Sequence, residues 1–121
     1  MKKLFLAFVS AITVTSSALA GTEKTLQCDF SDSTLKYRDV FEISANGSVS
    51  YTGNIASLSG EFSKACWSND VLAKVEKNEI LFSGVVECVG GDQTNLNQTL
   101  NLSTMTMNGT WKGSYPCSWV D

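Results

Sequence analysis

The chain has 121 residues, enough for one domain, and 43% of them are hydrophobic, so it can bury a core. Lys and Arg number 9, Asp and Glu 12 and His 0, for a formal charge of −3. The absence of histidine excludes Ser-His-Asp and Cys-His catalysis, His-ligated metals and imidazole acid–base chemistry.

Met1-Lys2-Lys3 is a short basic stretch, Leu4 to Val14 is apolar apart from Ser10 and Thr13, and Ala18-Leu19-Ala20 has the small-x-small form of a cleavage site. This order predicts a secretory signal peptide of bacterial proportions over residues 1–20 and one mature domain over 21–121. Position 21 is Gly rather than Cys, which gives no site for lipid attachment, and no later run approaches the ~18 apolar residues of a spanning helix. The expectation is a soluble periplasmic protein without a membrane anchor. Losing Lys2 and Lys3 with the leader takes the formal charge from −3 to −5. That balance disfavours nucleic acid and anionic lipid and favours a basic partner.

The mature sequence then alternates with a period of two. Leu26, Cys28 and Phe30 alternate with Thr25, Gln27 and Asp29, the pattern of a half-buried strand. Phe41 and Ile43 begin a second run, and Val49 and Tyr51 a third, with Asn46-Gly47 between them. Asn-Gly in that setting predicts a hairpin with a type I′ turn. Phe62 and Cys66 share a parity, and Ser68-Asn69-Asp70 reads as a turn. Val71, Ala73 and Val75 fit a strand, although Val71, Leu72 and Val75 also fit one face of a short helix. Lys77-Asn78 is a turn, after which Ile80, Phe82, Gly84, Val86 and Cys88 share a face.

Gly90-Gly91-Asp92 makes a loop, followed by a strand with Leu96, Leu100 and Leu102 on one side and Asn95, Asn97, Thr99 and Asn101 on the other. A change of parity near Ser103-Thr104 hints at a bulge before Met105 and Met107. Asn108-Gly109 is a second hairpin signal. Trp111, Tyr115, Cys117 and Trp119 share the last inward face, and Pro116 suggests an edge or a chain end. The fold expected is all-β, a small antiparallel sandwich or barrel of about seven to eight strands.

Cys28, Cys66, Cys88 and Cys117 are an even set in an exported chain, so two disulfides are expected. Zinc is not: its thiolate pairs need C-x₂₋₄-C spacing, whereas the steps here are 38, 22 and 29 positions. Of three possible connectivities, Cys28–Cys66 with Cys88–Cys117 closes local groups of strands and is the expectation. Cys28–Cys117, joining the first and last strands, is its main rival.

Nothing in the sequence marks an enzyme. The acids are spread along the chain, with Glu42, Glu76 and Glu87 on solvent parity, and the glycine loop lacks the lysine motif of a phosphate loop. No catalytic residue, metal or cofactor is expected. A cross-linked β domain offers preformed loops at low ordering cost, which suits a binding protein or inhibitor. Trp67, next to Cys66, points to the face opposite the cysteine and suits an interface anchor. Tyr37-Arg38-Asp39 is a second candidate patch.

The leader, the four spaced cysteines and the acidic strand-rich body together resemble small periplasmic lysozyme inhibitors and the periplasmic immunity proteins that act against peptidoglycan-degrading effectors of type VI secretion systems. The resemblance is one of plan over the whole mature chain. It implies a loop or strand end that enters a wall hydrolase's cleft and occludes its catalytic carboxylate, and it implies a homodimer formed through an exposed edge strand. The residues expected to bind that partner are Tyr37, Arg38, Trp67, Asn69 and Asp70, with Asp92, Gln93 and Asn95 beside the glycine loop. Arg38 would pair with the catalytic carboxylate bidentately. The alternative is a periplasmic β-barrel that binds a small ligand or a glycan in a cavity lined by inward aromatics.

Overall fold

The structure, a computed structural model, describes residues 23–109 and 113–120. The signal-peptide stretch and Trp111 lie outside the described residues. Eight strands follow one another as β1 (Lys24–Ser31), β2 (Leu35–Ile43), β3 (Val49–Ser57), β4 (Ser63–Glu76), β5 (Glu79–Cys88), β6 (Gln93–Asn101), β7 (Thr106–Gly109) and β8 (Gly113–Val120). Each pairs antiparallel with the next, and β8 returns to β1, closing the barrel.

The alternation seen in the sequence becomes inside and outside. Leu26, Phe41, Ile43, Val49, Ile80, Phe82, Leu96, Leu100 and Met107 are buried in the interior. Phe41 and Phe82 stack at its centre with ring centroids 4.4 Å apart. Val71 to Glu76 is strand, not helix, because its backbone is paired with β5 from Leu72 to Glu76.

Several local expectations change. The Ser44–Ser48 hairpin is present, but only Gly47 takes positive φ, at 92°. Gly47 donates its N–H to the Ser44 carbonyl at 2.9 Å, so the connection is a three-residue loop ending in a left-handed glycine rather than a type I′ turn. Ser68-Asn69-Asp70 is not a turn. It lies within β4, where the pairing register slips between Trp67 and Leu72. The parity change near Ser103 is the β6–β7 turn rather than a bulge, and Met105 there takes φ 53°. Pro116 sits inside the closing strand opposite Thr106, not at a sheet edge. Trp119 is 36% exposed and not a core residue. Closure also removes the exposed edge strand proposed for homodimerisation.

The disulfides are Cys28–Cys117 and Cys66–Cys88, leaving no free cysteine. The expected local pairing is therefore incorrect, and its rival holds. In a closed barrel the first and last strands are neighbours, so Cys28 stands directly opposite Cys117. Cys66 likewise stands opposite Cys88 across the β4–β5 hairpin. Such bridges are compatible with an oxidising, exported compartment.

Candidate functional site

The two ends of the barrel differ. The loops at residues 44–48, 76–79 and 101–106 close one end, beneath which Ile43, Val49, Ile80 and Leu100 fill the interior. The loops at 31–35, 57–63 and 88–93 surround the other end. There the interior holds a cavity of about 170 Å³.

Strand register explains the cavity. Cys117, Cys28, Asp39, Gly53, Cys66 and Cys88 are successive cross-strand partners, forming one row from β8 through β1 to β5. Four of these six are cysteine and one is glycine, so the row cannot fill the space that Leu and Phe fill below it. Glycine keeps this point of the row open: a Cβ there would collide with the Tyr51 hydroxyl and lie 3.5 Å from a carboxylate oxygen of Asp39. Four aromatic rings line the space, those of Phe30, Tyr37, Tyr51 and Tyr115, together with Ile55 and Ala65. Phe30 packs on Tyr37 at 5.8 Å and edge-on to Tyr115 at 6.2 Å.

Among the described residues, Asp39 is the charged residue in this lining, and it is only 9% exposed. Tyr51 donates its hydroxyl to Oδ1 at 2.9 Å, and Tyr115 donates to Oδ2 at 2.8 Å. The Gln98 amide adjoins the group and favours the charged carboxylate, yet neither of its polar atoms reaches hydrogen-bond geometry. Burial pushes the Asp39 pKa above the ordinary carboxylate value, against the tyrosine hydroxyls, which lower it. Tyr51 and Tyr115 are both pushed upward, first by burial and then by the facing carboxylate, so their hydroxyls stay protonated as donors.

Around the outside of the same end, Phe30 and Tyr37 continue into a shallow depression with Arg38, Lys36, Phe62 and Leu58. Arg38 bonds Asp29 through both nitrogens of its fork, Nε to Oδ1 at 2.8 Å and Nη2 to Oδ2 at 3.3 Å. Its guanidinium carbon lies 4.5 Å from the Phe62 ring centroid. A partner carboxylate would have to displace Asp29, an exposed pair contributing ~0–1 kcal/mol.

The sequence-based candidates separate accordingly. Tyr37 lines the cavity, and Arg38 lies on the wall outside it. Asp92 and the first residue of β6, Gln93, are exposed at the same end; Asn95 is exposed further along β6. Trp67 does face away from Cys66, paired opposite Thr52 and Glu87. It is half-buried, with the Lys64 ammonium 5.2 Å from its ring. Asn69 instead borders a polar depression near Glu42, Ser44 and Ser48, at the closed end, and Asp70 is exposed in the same irregular part of β4. Those two do not join the others.

Sequence reading placed Asp39 in a surface patch, and it is interior. It also missed Tyr51, Gly53, Gln98 and Tyr115 as a site. The signal was present: carried back from Ile43 and Phe41, the same parity reaches Asp39 and Tyr37, and Gln98 interrupts the Leu96–Leu100 face. A polar residue on an apolar parity is the informative exception.

No protein-family model, curated protein or solved structure matches this chain.

Proposed function

We propose that this protein is a non-catalytic inhibitor of the periplasm, an immunity protein that binds a peptidoglycan hydrolase and occludes its active site. The observation supporting this reading is the contrast between the barrel's closed end and its open end. The open end is cross-linked and bordered by Phe62, Leu58, Arg38 and the 88–93 loop. Preformed loops of this kind cost little ordering on association. Leu58 and Val89, 49% and 62% exposed, add apolar contact surface in the loops of that end.

A small-ligand reading draws on the same cavity, and the size of that cavity favours the protein partner. Sites for drug-sized ligands span roughly 300–1,000 Å³, so about 170 Å³ admits one small group and not a glycan. A protein partner that covers the end and inserts one group fits better.

The test is inhibition. Peptidoglycan hydrolases of the same cell envelope would be assayed for clearing of cell-wall suspensions with increasing amounts of the purified mature protein. The expected result is loss of clearing at equimolar inhibitor for one hydrolase, with no clearing by the protein alone. Clearing by the protein itself, or no inhibition of any envelope hydrolase, contradicts the proposal.

A further inference from the structure

Resting on that reading, we propose that the open end of the barrel receives one basic side chain of the protein partner, with its cationic head on Asp39 and its aliphatic stem among the cavity's aromatic rings. The binding would thus run in both directions, with the partner also inserting into this protein.

Charge and space select this occupant. Asp39 lines the cavity, and its carboxylate has about four lone-pair positions. Tyr51 and Tyr115 use one on each oxygen, so acceptor capacity remains. Among the described residues, no Lys or Arg lines the cavity. Arg38, next in sequence, faces outward and is held by Asp29. A carboxylate held among apolar walls is costly, and an entering ammonium or guanidinium relieves that cost. The aromatic lining of Phe30, Tyr37, Tyr51 and Tyr115 suits the same sign of charge.

Other occupants fit less well. An anion would be repelled by Asp39. A neutral apolar group would leave the carboxylate further desolvated. A space of about 150 Å³ holds a benzene-sized molecule, so about 170 Å³ suits the end of one side chain. Gly53 is central here, because a side chain at that point of the row would occupy the position beside Asp39.

The mature protein would be titrated with n-butylammonium chloride at constant ionic strength, following the ring resonances of Tyr51 and Tyr115 by NMR. Parallel titrations would use n-butanol and sodium butyrate, and then a blocked Gly-Lys-Gly peptide. The expected result is a saturable shift of both rings with butylammonium and with the peptide. Butanol should bind roughly tenfold more weakly, the loss of one charge-assisted bond. Asp39→Asn should remove the difference between butylammonium and butanol, and Tyr115→Phe should keep it.

No saturable ring shift with butylammonium, or equal binding of butanol, overturns the proposal without any variant being needed. Binding of butylammonium but not of the peptide overturns the assignment to a protein side chain. None of these probes involves a hydrolase. Their failure therefore leaves the inhibitor reading to its own assay, and loss of hydrolase inhibition does not alter the ring shifts.

Discussion

The two halves of the barrel reach order by different means. At the closed half, Phe41, Phe82, Ile43, Val49, Ile80 and Leu100 fill the interior, each no more than 2% exposed. At the open half the corresponding row is cysteine, aspartate and glycine, and two covalent bridges stand where packing is thin. Side chains that fill a core leave no room for a ligand. The open half keeps its room because disulfides supply rigidity without volume. One end of the fold is thus held by packing and the other by covalent bridges, and on the reading proposed above the partner binds at the second.

Removing the covalent clamp should break this division most strongly. Cys28–Cys117 spans 89 residues and Cys66–Cys88 spans 22. On chain entropy the first contributes about 4–5 kcal/mol and the second about 3 kcal/mol. Replacing Cys28 and Cys117 together by serine should therefore cost more in urea unfolding than replacing Cys66 and Cys88. The reverse order would mean that native packing, not the unfolded chain, sets their worth.

Gly53→Ala addresses the cavity itself. Its Cβ would displace the Tyr51 hydroxyl from Asp39, leaving a buried carboxylate one donor short. The expected loss is about 1–3 kcal/mol, read from the urea midpoint, together with loss of the butylammonium-induced ring shift. Unchanged stability would show that the Tyr51–Asp39 bond is dispensable.

Asp39→Asn should remove a pH dependence that the open end confers. The folded pKa of Asp39 is raised above 3.8, so the folded chain holds this proton where the unfolded chain has released it. Its stabilising contribution is complete below the unfolded value and is lost as pH rises through the folded one. The melting temperature of the wild type relative to Asp39→Asn should fall as pH is raised from about 4 toward neutrality. Tyr51, Tyr115 and Gln98 face this carboxyl, and the charge of Asp29 also raises its pKa. A constant difference would contradict the burial ascribed to it.

Arg38→Ala should have the smallest effect on stability, less than about 1 kcal/mol, because the Arg38–Asp29 pair is exposed. Hydrolase inhibition should nevertheless weaken, since the substitution alters the outer wall of the open end. Equal inhibition by the variant would remove that wall from the interface.

Much of this architecture was legible before the structure. Period-two alternation assigned Leu26, Phe41, Val49, Ile80 and Leu100 to the interior, because a half-buried strand can satisfy its apolar face in no other way. The disulfide pairing was not legible. Local proximity favoured Cys28–Cys66, whereas closure, a property of the whole sheet, sets Cys28 against Cys117. The site was legible only in part. Tyr37 stood in a candidate patch and lines the cavity, but Asp39 joins Tyr115 across 76 positions of sequence, and nothing local announces that contact. Asn69 and Asp70 read as a turn because their residue types favour one, and the register slip in β4 absorbs them instead.

On the proposed reading, the partner covers the open end. Amide hydrogen exchange of the inhibited hydrolase complex, compared with the free protein, tests it most directly. New protection is expected in residues 31–35, 57–63 and 88–93 and none at 44–48, 76–79 or 101–106. Protection confined to the second set of loops would contradict it.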